Sequence, residues 1–423
     1  IRSVLGDGIA IGDLNGRIVE NRGFIQSTGN RMGQPYEHYS GIAIGSGSGT
    51  IVNRGTITGI SVTASLNDVN DPNDWAIVVR NYGGAANQRV KVENYGDLVG
   101  GGGVSFEGDG WIENKSTGKI TILASNVGGG DIGYARVGVS IKGRLISDLL
   151  NEGEIHGQVY INDLNGQAIR NSNLLTTAGA EFSAVMIQGG TGKIVNTATI
   201  SGGAYGIWVY GGPAGARSAV TVENSGVIDS GIAFERDGAV TGIDGGEMTG
   251  TITAFGQGKA TIFIGNWRGR NDTTGSIGAQ GKLLADMTIG RTGVIKSDPG
   301  WNGTAIAVGD LNGKRISNAG TIRSVSGGLA LFPLADPTNI DAGIMIGSGS
   351  GVVSNTGTIE GDVGIYIANY TAAGQAPALQ RVTVENSGTI RAGSSAIRFE
   401  GDGAVTGPNG QPITGLLQGG GTD

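Results

Sequence analysis

The chain has 423 residues, of which 83 are Gly, 9 Pro and none Cys; 15% are charged, 5% are aromatic, and the net charge is −7 at pH 7. An acidic chain without clustered Lys and Arg lacks the electrostatic footprint of a nucleic-acid binder, so no nucleic acid is expected as a partner. Lack of Cys excludes disulfide staples and thiolate metal sites, and no apolar run approaches the roughly 18 residues that cross a bilayer.

In chain order, Ile1-Arg2-Ser3 and then Gly8-Ile9-Ala10-Ile11-Gly12-Asp13-Leu14 open the sequence, and both phrases return as Ile295-Lys296-Ser297 and Ala305-Ile306-Ala307-Val308-Gly309-Asp310-Leu311. Gly12-Asp13-Leu14-Asn15-Gly16 itself recurs at Asn162-Asp163-Leu164-Asn165-Gly166 and at Gly309-Asp310-Leu311-Asn312-Gly313. A second phrase reads apolar, spacer, Asn, spacer, Gly, spacer, Ile. It is clearest at Val52-Asn53-Arg54-Gly55-Thr56-Ile57, Val222-Glu223-Asn224-Ser225-Gly226-Val227-Ile228 and Val384-Glu385-Asn386-Ser387-Gly388-Thr389-Ile390. Looser copies carry Asn21, Asn94, Asn114, Asn151, Asn171, Asn196, Asn318 and Asn355. Gaps of roughly 20 to 40 residues between copies are the signature of stacked repeats.

Between the Asn phrases lie alternating stretches such as Gly41-Ile42-Ala43-Ile44-Gly45, Tyr205-Gly206-Ile207-Trp208-Val209-Tyr210, Gly343-Ile344-Met345-Ile346-Gly347 and Gly364-Ile365-Tyr366-Ile367. Alternation at period two predicts short strands with one buried face. Nothing shows the 3.6-residue pattern of a crossover helix. The pattern therefore predicts an all-β chain, a right-handed parallel β-helix (β-solenoid) of about 12 coils, rising about 4.8 Å per coil to a rod on the order of 60 Å. It is read as a single domain over 1–423, with super-repeats at roughly 1–150, 151–296 and 297–423. The recurring Asn (Asn21, Asn53, Asn94, Asn196, Asn224, Asn318, Asn355 and Asn386) is expected to form a structural ladder, each amide donating to and accepting from its copies in neighbouring coils.

A solenoid end presents unpaired strand groups unless it is capped. No cap pattern stands at Ile1 or Asp423. The chain is therefore expected to be a segment of a longer rod or to self-associate end to end as a homo-oligomer or filament, with any export signal or anchor outside these residues.

The phrases Glu385-Asn386-Ser387-Gly388-Thr389-Ile390 and Gly343-Ile344-Met345-Ile346 resemble the β-helical passenger segments of bacterial autotransporters and related surface proteins. The resemblance implies the right-handed parallel β-helix, export to the bacterial cell surface, and a role in adhesion or surface structure. The membrane barrel that follows such passengers has no counterpart in the sequence.

The chemistry-bearing residues point away from catalysis, and no catalytic residue is assigned. His156 occupies the outward slot held elsewhere by Thr58, Ser201, Asp229, Arg323, Glu360 and Arg391, and His38 lies in the aromatic insertion Pro35-Tyr36-Glu37-His38-Tyr39. The carboxylate pairs Glu107/Asp109, Glu235/Asp237 and Glu400/Asp402 have the spacing that shares a strand face, as in polysaccharide-cleaving β-helices, but they recur where a catalytic site is built once. Calcium is the plausible cofactor: Asp68, Asn70, Asp71 and Asp74, with Asn73, form a loop rich in hard oxygen ligands, and Asp13-Leu14-Asn15-Gly16 resembles the start of a calcium loop. Asx-turn chemistry accounts for the same residues. Trp75, Trp111, Tyr205, Trp208, Tyr210, Trp267 and Tyr366 read as core or lateral packing, with stacking on sugars the alternative.

The sequence thus predicts a non-enzymatic, extracellular structural protein that forms or belongs to a fibre. An adhesin binding a polysaccharide or cell-surface ligand through insertions at 30–40, 66–75 and 331–341 is the first alternative, and a polysaccharide lyase or hydrolase with an acidic face the second.

Overall fold

The computed structural model describes residues 1–3, 6–29, 39–61, 74–82, 89–123, 137–179, 182–211, 218–254, 260–265, 281–297, 303–325, 341–368, 381–400 and 402–420. Among these the regular structure is strand, apart from single 3-10 turns such as Ile243–Gly245 and Pro408–Gly410. The chain divides into two compact units, Ile1–Lys193 with Ala198–Gly203, and Ile194–Thr197 with Ala204–Asp423.

In the first unit one coil runs through three strands, Ser48–Asn53, Thr56–Ser61 and Trp75–Val79. Each pairs in parallel with its counterpart in the coils before and after. Ser48–Asn53 lies between Arg17–Asn21 and Arg89–Asn94, Thr56–Ser61 between Phe24–Gly29 and Asp97–Gly100, and Trp75–Val79 between Ile42–Ser46 and Gly102–Phe106. Among the described residues, strands pair with those one coil apart rather than with their neighbours in sequence. That is a parallel β-helix, the fold the period predicts.

The register follows from a column of β-branched and Leu side chains at the centre of the second strand. Ile25, Ile57, Leu98, Ile120 and Ile155 face one another rung by rung, and none is more than 4% exposed. A slip of one residue would send the whole column to solvent and bring Thr56, Asp97 and Lys119 inward, so the stacking is strongly specified. Each buried Ile contributes about 1.5–3 kcal/mol.

The second unit repeats the design. Its column is Ile228, Ile252, Ile295, Ile322, Ile359 and Ile390, each fully buried. Three of its Asn-bearing strands lie in a five-stranded parallel sheet of Met287–Ile289, Arg315–Asn318, Gly351–Asn355, Val382–Asn386 and Gly403–Thr406, in that order.

One expectation is corrected. The alternating third strands were expected to bury one face; several bury both, while Val185–Gly189 and Ile207–Val209 leave the outward side chains half-buried. In the first unit Ile42 and Ile44 point inward with no exposure, yet Ala43 between them is only 6% exposed. In the second unit Met345 and Tyr366, between inward Ile residues, are 4% and 2% exposed. The outward side chains are small or apolar and cluster among themselves along the ladder: Ala43 with Trp75, Val78 and Val137 in the first unit, and Ala342, Met345, Val363 and Tyr366 in the second.

The corners differ in what they tolerate. The corner after the Asn keeps one length in nearly every coil: Asn21 leads to a strand at Phe24, Asn53 to Thr56, Asn94 to Asp97, Asn318 to Thr321, Asn355 to Thr358 and Asn386 to Thr389, with Asn114, whose next strand starts at Lys119, the longer exception. The corner before the third strand is short between Gly100 and Gly102 but long between Ile122 and Val137. Gly fixes the constant corner. A Cβ on Gly55 or Gly357 would sit against the carbonyl oxygen of Gly23 or Gly320 in the preceding coil, well inside van der Waals contact. Close backbone stacking, rather than a left-handed φ, is what requires Gly there.

Candidate functional site: the asparagine relay and a second polar corner

Among the described residues, the corner after the Asn carries a continuous series of side-chain amide hydrogen bonds. In the first unit the Nδ2 of Asn21 donates to Oδ1 of Asn53 at 2.8 Å, Asn53 to Asn94 at 2.9 Å, Asn94 to Asn114 at 2.8 Å, Asn114 to Asn151 at 2.9 Å and Asn151 to Asn171 at 2.7 Å. In the second unit Asn196 donates to Asn224 at 2.9 Å, and Asn318 to Asn355 and Asn355 to Asn386 at 2.8 Å each. Every donor points the same way along the coils. Asn53 spends its second N–H on the carbonyl of Asp97 and its Oδ1 also accepts from the Gly55 amide. Its amide capacity is thereby filled, which is what a side chain with no solvent exposure requires. The ladder is confirmed for every predicted member, and Asn114, Asn151 and Asn171 extend it.

The relay pauses in the second unit where Asn is replaced. Gly238-Ala239-Val240-Thr241 places Thr241 opposite Glu223, and Thr241 Oγ1 donates to the Gly242 carbonyl instead. Gly403-Ala404-Val405-Thr406 stands likewise on Val382–Asn386. Each is followed by a 3-10 turn with two residues at positive φ, Asp244 at 53° and Gly245 at 75°, and Asn409 at 56° and Gly410 at 76°.

Two of the repeated carboxylates, Asp109 and Asp237, join coils, and Asp13, Asp163, Asp310 and Glu400 are engaged locally. Asp109, 4% exposed, takes the Arg144 backbone N–H at 2.7 Å on one oxygen and the Arg144 guanidinium at 2.8 Å on the other. Asp237 accepts the Lys282 backbone N–H at 2.9 Å, and Glu400 pairs with Arg398 at 2.6 Å. Asp13, Asp163 and Asp310 each accept the backbone N–H two residues on, from Asn15, Asn165 and Asn312. These are Asx turns, with the Asn at positive φ of 47°, 50° and 53° and Leu14, Leu164 and Leu311 buried beneath.

His156 is half-buried, its Nε2 2.9 Å from Glu154 Oε2, and Lys119 approaches the same carboxylate at 3.2 Å. The His156 hydrogen bond, followed by Lys119, holds the Glu154 carboxyl below its ordinary value. On the Asn strands, burial alone would raise the Glu113 carboxyl, but Lys115 and Lys91, each at 2.7 Å, outweigh it and hold it low. Among the aromatics, Trp75, Tyr205 and Tyr366 are buried. Trp208 is half-buried and stands 5.3 Å from the exposed ring of Tyr210. Trp267, His38 and the calcium candidates Asp68, Asn70 and Asp71, with Asn73, lie outside the described residues. Asp74 is described, 7% exposed, with its carbonyl accepting the Gly102 N–H. Among the described residues no group of three or more His, Asp or Glu is placed to hold a metal ion, and no helix is long and apolar enough to cross a membrane.

A second polar column escaped the sequence reading. It occupies the variable corner, just before the third strand. In the first unit it holds Asp7, Ser40, Asp74, Gln158 and Ser183. Asp7 Oδ1 takes the Ser40 N–H at 2.8 Å, and Gln158 Nε2 donates to the Ser183 carbonyl at 2.9 Å. In the second unit it holds Thr261, Thr304, Asp341 and Asp362, linked by Thr261 N–H to Thr304 O and Asp362 N–H to Asp341 O. Ser40 Oγ, Ser183 Oγ, Thr261 Oγ1 and Asp341 Oδ1 are buried without a hydrogen-bond partner. The signal in the sequence was a polar residue standing just before several of the alternating phrases, as in Asp7-Gly8-Ile9 and Ser40-Gly41-Ile42.

Fold and site together define the class: a parallel β-solenoid whose coils are joined by asparagine relays. Comparison with protein-family models, with curated proteins and with solved structures gave no match in any of the three.

Proposed function

We propose that the chain is a non-enzymatic structural protein of the bacterial cell surface, exported and extracellular, whose β-helix forms or belongs to an extended fibre. One observation carries the reading. In each unit successive coils meet through like residues, Asn on Asn, Ile on Ile and Gly on Gly, so a further coil of the same sequence adds on with no new chemistry. Such an interface is heterologous and propagates, which favours end-to-end stacking into filaments. The autotransporter-like phrases support export and surface display by resemblance only.

Electron microscopy of the purified chain at rising concentration, with and without calcium, tests this. Uniform fibres support self-assembly; monodisperse particles at the highest concentration overturn it. A second reading, an adhesin, is favoured by long insertions on either side of the third strands, as between Ile122 and Val137 and between Ile367 and Val382, on a rigid scaffold, the arrangement in which loops carry function. Deleting 30–40, 66–75 or 331–341 would then abolish surface or polysaccharide binding while the β-helix persists. A lyase or hydrolase on the acidic face is disfavoured, because Asp109 and Asp237 are engaged by backbone N–H groups.

A further inference from the structure

We propose that Asp341 and Asp362, at the variable corner of the second unit, form a binding site for a divalent cation, calcium by preference. Asp341 is 7% exposed, and its Oδ1 is buried without a hydrogen-bond partner. A buried carboxylate oxygen left without a donor is costly and calls for a proton, a water or an ion. Asp362 stands directly in the next coil, its N–H and that of Val363 donating to the Asp341 carbonyl at 2.9 and 3.1 Å. The two Asp residues thus follow one another at one corner, Asp341 buried and Asp362 exposed, and burial first, with the Asp362 charge second, pushes the Asp341 carboxyl up to about 6.

The neighbourhood is oxygen-rich and built. The Gly303 N–H donates to the Asp341 carboxyl, and the Gly303 carbonyl is gripped by the Ser297 and Ser324 hydroxyls at 2.8 and 2.6 Å. Thr304 Oγ1 lies 3.4 Å from the Ala342 nitrogen. Hard oxygen donors on a fixed frame suit calcium, which accepts irregular geometry and completes its shell with water; magnesium demands a stricter octahedron. Two carboxylates place the affinity in the weak range, on the order of 10⁻⁴–10⁻³ M, found in extracellular modules. The proposal is independent of the fibre reading.

The test uses metal-stripped full chain at pH 7.5, with calcium titrated by calorimetry and the melting temperature followed, in wild type, Asp341→Asn and Asp362→Asn. The expected result is a calcium-dependent rise in Tm in the wild type that Asp341→Asn loses, with binding weakened about tenfold or more in Asp362→Asn and a smaller response to magnesium. Hydrogen exchange should show calcium protecting Ala342–Ser348 in the wild type only. If Asp341→Asn keeps the full calcium response, the cation is elsewhere and the proposal fails. It also fails if Asp341→Asn is the more stable protein and calcium shifts neither, since Asp341 then holds a proton.

Discussion

The relay gives the sharpest energetic prediction, at Asn53. Its amide donates to Asn94 Oδ1 at 2.9 Å and Asp97 O at 3.1 Å, and accepts from Asn21 Nδ2 at 2.8 Å and the Gly55 N–H at 3.3 Å. Asn53→Ala removes four bonds worth about 1 kcal/mol each and strands buried partners in two coils, where an unsatisfied group costs about 1–3 kcal/mol. Asn21 retains the Gly23 and Thr56 carbonyls as acceptors, which limits the damage. The expected loss is about 3–5 kcal/mol. Asn386→Ala should cost less, about 1–3 kcal/mol, because its onward bonds to Gly388 O and Leu416 O are longer, 3.3 and 3.5 Å. The assay is urea unfolding followed by far-ultraviolet circular dichroism, with amide exchange at Gly55 and Asp97 reporting local opening, because a stacked-repeat protein need not unfold in two states. A loss at Asn53 below about 1 kcal/mol, no greater than that of the exposed control Arg22→Ala, would refute the idea that the relay joins the coils.

Three further outcomes follow from the same geometry. Ile57→Ala, in a fully buried column, should cost about 2–5 kcal/mol in the same unfolding assay. Gly55→Ala should be worse than its size suggests and lower Tm by several degrees, because the added methyl meets the Gly23 carbonyl of a coil that cannot shift alone. Asp341 gives a pH test in calcium-free buffer. Its folded value of about 6 exceeds the ordinary 3.8, so its contribution is fully present below about pH 4 and lost as pH rises through 6. Asp341→Asn should then match wild type near pH 4 and exceed its stability by roughly 3 kcal/mol above pH 7; equal stabilities at both pH values in urea titrations would contradict the burial of the charge.

The legible part of this fold was the part that must repeat. Asn21 and Asn53 can share hydrogen bonds only if every coil places the same amide at the same corner, and Ile25 can meet Ile57 only in one register, so both left fixed phrases in the sequence. The second polar column was harder to read because its demand is looser. Asp7, Ser40, Gln158 and Thr261 need only be polar and adjacent to a strand, and residue identity changes from coil to coil while position is kept. The burial of both faces of several third strands was hidden for a different reason. Ala43, Val78 and Phe263 look like tolerated outward apolar residues along a period-two strand, and their burial depends on contacts outside the strand itself. The carboxylate pairs Glu107/Asp109 and Glu235/Asp237 were ambiguous by spacing alone and read as structural only because they recur; Asp109 and Asp237 each cap the backbone N–H of a residue one coil away, Arg144 and Lys282. A capping acid and a catalytic acid leave the same short phrase; what separates them is which coil lies above, and that is written some 35 to 45 residues downstream, at Arg144 and Lys282.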